Sequence, residues 1–146
     1  MTEKMNGVVG FLFNSTGNRV VLIRKNRPAW QAGKLNGVGG HIEQRLNGVE
    51  KPHEAMTREF QEEAGYTSSL WEHYVSLTGD WGKVHFFRNY GDIDLCSTKT
   101  DEEVEIHYVH NLVHLDVIPN LRWLIPLALH RHDSYAPIEV HEYATR

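Results

Sequence analysis

The chain has 146 residues, about one domain against a norm of roughly 100–200 residues each, and enough to bury a core without disulfide or metal staples. Nineteen acidic against fifteen basic residues leave a net charge of −4, which argues against a protein that grips a nucleic-acid backbone with a basic face. Its 4 Trp, 6 Tyr and 5 Phe argue against disorder. Cys96 is the single cysteine, which excludes an intrachain disulfide framework and a multi-cysteine zinc site and sets a reducing, cytoplasmic compartment as the expectation.

In chain order, residues 8–13 and 20–23 are dense in β-branched and aromatic side chains, with Asn14-Ser15-Thr16-Gly17-Asn18 between them, and read as a hairpin. The first of these follows Lys4 but is too short for a signal peptide and runs into a polar cluster instead of a small-residue cleavage site. Residues 26–36 read as a loop, 37–42 as a glycine-rich extended segment and 43–51 as a polar loop. Residues 52–64 predict a helix: Pro52 suits its first turn, Gly65 suits the position just past its end, and Met56, Phe60 and Ala64 make one apolar stripe. Strands are expected over 70–77, 81–88 and 105–109, and a second helix over 120–130 with Pro126 inside it. The run 124–129 is far below the ~20 residues that a bilayer span needs. No repeat, linker or low-complexity tract interrupts the chain, so a single domain over residues 1–146 with no membrane association is the expectation.

The first helix carries the chemistry. Glu59, Glu62 and Glu63 stand at i, i+3 and i+4, within an arc of about 100° that borders the Met56/Phe60 stripe. Two carboxylates ~4 Å apart repel by about 4 kcal/mol at a surface-like dielectric. Such a cluster needs a cation, a raised pKa or wide separation into water. An oxygen-only ligand set suits Mg²⁺ or Mn²⁺ and does not suit zinc or copper. A bare E-x-x-E-E has a plainer alternative, a solvated acidic face.

The surrounding residues decide between them. Gly39-Gly40-His41-Ile42-Glu43 lies upstream, and Glu50 is followed after seven residues by Arg58-Glu59-Phe60-Gln61-Glu62-Glu63-Ala64-Gly65-Tyr66. This resembles the Nudix hydrolase box, G-x5-E-x7-R-E-U-x-E-E-x-G-U, where U is aliphatic or aromatic. From Glu50 to Tyr66 every defined position matches. One departure stands out: nine residues separate Gly40 from Glu50 where the family pattern has five. It reads as a four-residue insertion after Glu43 and leaves the role of Glu50 open.

The resemblance implies an α/β sandwich, a mixed sheet between helices with a loop–helix–loop metal platform. It also implies a Mg²⁺-dependent (or Mn²⁺-dependent) pyrophosphohydrolase. Glu59, Glu62 and Glu63 take the metal-ligand positions by match, Arg58 holds Glu59 by a salt bridge, and the Gly39 carbonyl is a further ligand. A later acid often joins the metal in this family. Among Asp101, Glu102, Glu103 and Glu105, the spacing to the aromatic Tyr108 favours Glu103, with Glu102 next and a plain acidic loop as the alternative.

For the substrate, Leu35-Asn36-Gly37-Val38-Gly39-Gly40 looks like the W-N-G-F/V-G-G stretch of the oxidised-purine nucleoside triphosphatases of the family, where the Asn contacts the base. Asn36 stands at that position, with a turn residue before Gly37 as the plain reading. Asn120 matches the position before the last helix that reads the purine edge, with a helix N-cap as its plain reading. His41 lies beside the glycines and within reach of a phosphate. Amides can both donate to and accept from a purine, so a nucleotide is the expected partner. The leading substrate is a purine nucleoside triphosphate, an oxidised one such as 8-oxo-dGTP included, cleaved to monophosphate and pyrophosphate. The rivals are ADP-ribose or another nucleoside diphosphate linked to a second group, and a non-catalytic nucleotide-sensing module. The ten histidines read as surface or packed side chains, since no H-E-x-x-H is present, and Cys96 lacks the basic neighbours a reactive thiol needs.

Overall fold

Strand alternation divides the apolar residues of this chain between two cores. In the computed structural model, which describes residues 4–130 and 136–143, β1 (Met5–Phe13) and β2 (Arg19–Arg24) turn Phe11, Phe13, Val20 and Leu22 to one face of a sheet and Val8, Leu12, Val21 and Ile23 to the other. That is the period-2 consequence of the pleat. Both faces are apolar, so each needs a cover. The helix α1 (Pro52–Ala64) covers the second face with Ala55, Met56, Phe60 and Ala64, and α2 (Leu121–Leu129) covers the first with Leu121, Leu124, Ile125 and Ala128.

The sheet has eight strands. Besides β1 and β2 they are β3 (Leu35–Asn36), β4 (Val38–His41), β7 (Glu72–Gly79), β8 (Gly82–Tyr90), β9 (Val104–Tyr108) and β10 (Ile138–His141), in the order β10-β7-β8-β1-β2-β3, with β4 also on β1 and β9 also on β2. Most pairings are antiparallel, but β1 runs parallel to β8 from Met5↔Gly82 to Phe13↔Tyr90, and β10 runs parallel to β7. The expected hairpin between β1 and β2 is present only at its closed end, Leu12↔Val21 and Phe13↔Val20. Beyond it β1 pairs with β4 through Gly7↔His41, Val8↔Gly40 and Val9↔Gly39. This places Gly39 and Gly40 mid-sheet beneath α1.

Helix α1 has the predicted ends. Pro52 opens it, the Lys51 N–H donates to the Glu54 carboxylate at 3.2 Å, and Gly65 closes it at φ 69°, donating its N–H to the Gln61 carbonyl. Helix α2 continues through Pro126, whose missing N–H leaves one turn of the helix without a bond. Two elements differ from expectation. The polar loop 43–51 contains a small hairpin, β5 (Gln44–Arg45) with β6 (Gly48–Val49), turning at Leu46-Asn47, with Gly48 just after the turn at φ 127°. The strand β10 lies beyond the last element expected from the sequence. Among the described residues no helix is long and apolar enough to cross a membrane.

Phe60 is fully buried, its ring 4.7 Å from Trp71 and 6.1 Å from Tyr66 by centroids. Phe60→Ala is expected to cost about 3–5 kcal/mol by urea unfolding, whereas Leu46→Ser, at the fully exposed tip of the β5–β6 hairpin, should change stability by less than about 0.5 kcal/mol. Similar losses for the two would contradict this packing.

Candidate active site

The acids of α1 gather around one guanidinium. Arg58 donates to Glu50 twice, from Nε and from Nη2, both at 2.9 Å. Its Nη1 donates to Glu59 at 2.9 Å and to Glu62 at 3.2 Å, and Nη2 also reaches the His41 carbonyl at 3.1 Å. The expected Arg58–Glu59 pair is therefore present, but the bidentate partner is Glu50, whose role the altered spacing had left open. Glu50 is buried, and the Arg58 guanidinium holds its carboxyl below the usual carboxylate range against the cost of burial.

Glu59 and Glu63 face the sheet. A Cβ built on Gly40 would meet the Glu59 carboxylate at 2.5 Å, so only glycine lets that carboxylate lie against β4. Burial raises the Glu59 pKa, with the Arg58 hydrogen bond working against it and Glu62 adding to it. Glu63 carries the larger perturbation. Burial, and after it the charge of Glu59, pushes it up to about 7, while Lys25 and the Gly39 backbone amide pull the other way. One Glu63 oxygen, Oε2, is buried with no hydrogen-bond partner. Glu62 is open to solvent, with a side chain 57% exposed.

From the later loop, the acid that faces Glu63 is Glu102, whose charge is felt there. Its buried carboxylate accepts the Asn26 N–H at 2.6 Å and the Lys25 ammonium at 2.9 Å. Burial alone would raise its pKa, and these donors outweigh it. Glu103, the first choice from the sequence, is exposed, and the nearby charge it acts on is Arg24. In the bend that precedes β9, the Lys25 and Asn26 donors hold Glu102 inward while Glu103 is left outward. Gly39 lies in the β1–β4 ladder opposite Val9.

The substrate candidates fall in a second place. Asn36, which ends β3 opposite Ile23, donates to Gln31 Oε1 at 3.0 Å and accepts the Gly37 N–H at 2.8 Å. Asn120 opens α2 through its carbonyl but makes no side-chain cap bond. The Ile118 N–H donates to the Leu35 carbonyl at 2.9 Å, which brings the two Asn-bearing segments side by side. His41 is exposed beside Arg58. The Cys96 thiol is pushed up to about 12 by burial, and an inert thiol is what the sequence led us to expect.

A cation fits the chemistry of the α1 acids. The donors are all carboxylate oxygens, one of them is buried without a partner, and Gly40 leaves them room. Among the described residues no three Asp, Glu, His or Cys side chains converge closely enough to hold an ion as they stand. Glu59 and Glu62 each spend an oxygen on Arg58.

A sheet between two helices, with R-E-F-Q-E-E on the helix above a Gly-Gly strand, is a Nudix-type arrangement. The NUDIX domain model matches residues 3–135, and the chain belongs to that family. GDP-mannose pyrophosphatases of Salmonella arizonae and Salmonella typhimurium are 32% identical over 113 residues, covering 71% of this chain and 59% of theirs. The chain thus spans about three-fifths of the length of these relatives. The fold is that of the NUDIX domain of Shewanella oneidensis NrtR, solved with ADP ribose (TM-score 0.74, 14% identity, 88% of each chain). It is also that of MutT from a study of Aliivibrio salmonicida and Vibrio cholerae (TM-score 0.72, 18% identity, 87% of this chain and 98% of that one).

Because Glu63 holds its proton up to about pH 7 in the fold and only to about 4.5 as an ordinary carboxylate, it favours the folded state most at low pH, and this contribution fades as pH rises from about 4.5 through 7. In EDTA, the stability advantage of Glu63→Gln over wild type should therefore be larger at pH 8 than at pH 5 by urea unfolding. An advantage that does not change with pH would contradict the assigned burial.

Proposed function

We propose that this chain hydrolyses the diphosphate bridge of a nucleotide in a divalent-cation-dependent reaction. The observation that carries the reading is the buried, unpartnered Oε2 of Glu63 beside Glu59 and against Gly39-Gly40. Water adds across the P–O–P link and two phosphate-bearing products leave. Glu59, Glu62 and Glu63 would hold the cation, Mg²⁺ first and Mn²⁺ also suited, with Glu102 in place of Glu103 as the loop acid. The Gly39 carbonyl stays a proposed further ligand. A cation bound there supplies Lewis-acid polarisation of the phosphoryl group and neutralises the departing phosphate. Arg58 keeps Glu59 and Glu62 on one side of the helix, and Lys25 with Asn26 fixes Glu102. Gly39 and Gly40 leave the strand free of side chains where a phosphate would approach, and His41 stands at its edge.

The substrate class we favour is a nucleoside diphosphate joined to a second group, a nucleotide sugar above all. The 32% identity to GDP-mannose pyrophosphatases supports it. A second reading, a purine nucleoside triphosphate such as 8-oxo-dGTP yielding monophosphate and pyrophosphate, draws on the half-buried amides of Asn36 and Asn120 on neighbouring segments.

A Mg²⁺-dependent panel of GDP-mannose, ADP-ribose, dinucleoside polyphosphates, normal nucleoside triphosphates and 8-oxo-dGTP, with products identified, tests both. We expect a nucleoside monophosphate and a sugar phosphate, and Glu62→Gln should lower turnover by at least about 100-fold with the fold intact. Pyrophosphate release from triphosphates alone would select the second reading. No turnover of any member would overturn both and leave nucleotide sensing.

A further inference from the structure

The four residues by which this chain departs from the box spacing build the β5–β6 hairpin, and that hairpin contributes nothing to either core. Residues 43–49 are all exposed, with Leu46 and Val49 bare at the surface. What the hairpin delivers to the site is a second guanidinium. Arg45, opposite Gly48 in the hairpin register, donates from Nη2 to Glu50 Oε2 at 2.9 Å and to Glu43 at 3.3 Å. The Glu43 N–H donates to the other Glu50 oxygen at 3.1 Å, and the Glu50 N–H donates back to the Glu43 carbonyl at 2.9 Å. The Glu50 side chain, 1% exposed, is thus pinned on the side away from α1 by Arg45 and the hairpin stem, and on the α1 side by Arg58.

We propose that Arg45 is a positioning residue for the reaction: by fixing Glu50 it fixes the plane of Arg58, and so the direction from which Nη1 holds Glu59 and Glu62. The logic is one of donor allocation. Arg58 has five N–H donors in a rigid fork. Its Nε and Nη2 are committed to Glu50, which leaves Nη1 for the two acids of α1. A buried carboxylate whose other side loses its cation draws more on the cation that remains. Without Arg45, Glu50 loses a charged donor and gains freedom to shift, and Arg58 follows it. Groups one step removed from a catalytic centre typically matter by about 10–100-fold. This inference rests on the hydrolytic reading proposed above.

The test pairs a readout that needs neither cation nor substrate with one that needs both. In a ¹H–¹⁵N spectrum the Arg58 Nε–H signal, assigned by its loss in Arg58→Lys, reports the bond to Glu50. We expect Arg45→Ala to move that signal and speed its exchange with water by about tenfold or more. We also expect kcat on the substrate identified by the panel to fall about tenfold, with KM unchanged within about twofold. Arg45→Lys, which keeps a cation for Glu50, should recover most of kcat. An unmoved Arg58 signal overturns the proposal. So does a rise in KM at constant kcat, which would make Arg45 a substrate contact, or a fall in melting temperature with kcat intact, which would make it structural only. A wild-type chain that turns over nothing, while its Arg58 signal still responds to Arg45, identifies the hydrolytic reading as what failed and overturns the catalytic half of this proposal with it.

Discussion

Four carboxylates, Glu43, Glu50, Glu59 and Glu62, lie within 3.4 Å of the guanidinium of Arg58, and the site depends on how that one cation is shared. At these spacings the acids would repel one another by several kcal/mol even at a surface-like dielectric of about 20. Arg58 offsets this with a planar fork of donors that can serve several acceptors at once. Glu63, the one box acid of the helix without a bond to Arg58, is the one whose pKa rises most. Its burial is a direct result of helical geometry. It follows the Phe60 side of the helix toward the sheet, where it meets the Gly39 backbone amide.

This division makes the site chemically asymmetric. On the Glu50 side, charges are matched and satisfied, with Arg45, Arg58 and the Glu43 N–H around one buried carboxylate. On the Glu63 side, carboxylates face one another and one buried oxygen has no partner. The matched side gives rigidity, and the unmatched side gives affinity for a positive charge. The charge of Lys25 is felt by Glu63, but its ammonium is already bonded to Glu102. The helix is fixed in place by packing that has no polar part, since Met56, Phe60 and Ala64 lie in an apolar layer with Trp71 and Phe87. Stability and chemistry thus share α1 but use different arcs of it.

Local features of the sequence were the readable ones. The bounds of α1 followed from Pro52, Gly65 and a four-residue stripe, and the acids of that helix from their spacing, because both lie within a few turns of chain. The positions of β1, β2, β7, β8 and β9 were legible to within two or three residues for the same reason. The parallel pairing of β1 with β8 and of β10 with β7 was not, since it joins segments far apart in the chain. That Glu102 and not Glu103 turns inward was illegible on the same ground: it is set by donors on residues 25 and 26, some 75 positions away. Glu50 was identified from the box but left without a partner, because the inserted residues hid that the hairpin closes back on Glu43. The Asn47-Gly48 pair was the available sign of that turn.

The proposed reaction requires that the unmatched carboxylates hold a divalent cation. The most direct test is a titration of the nucleotide-free chain with Mn²⁺, followed by electron paramagnetic resonance, comparing wild type with Glu63→Gln and with the loop variant Glu103→Gln. Saturable binding to wild type is expected, weakened at least about tenfold in Glu63→Gln and unchanged in Glu103→Gln. Equal affinity in wild type and Glu63→Gln would contradict that requirement.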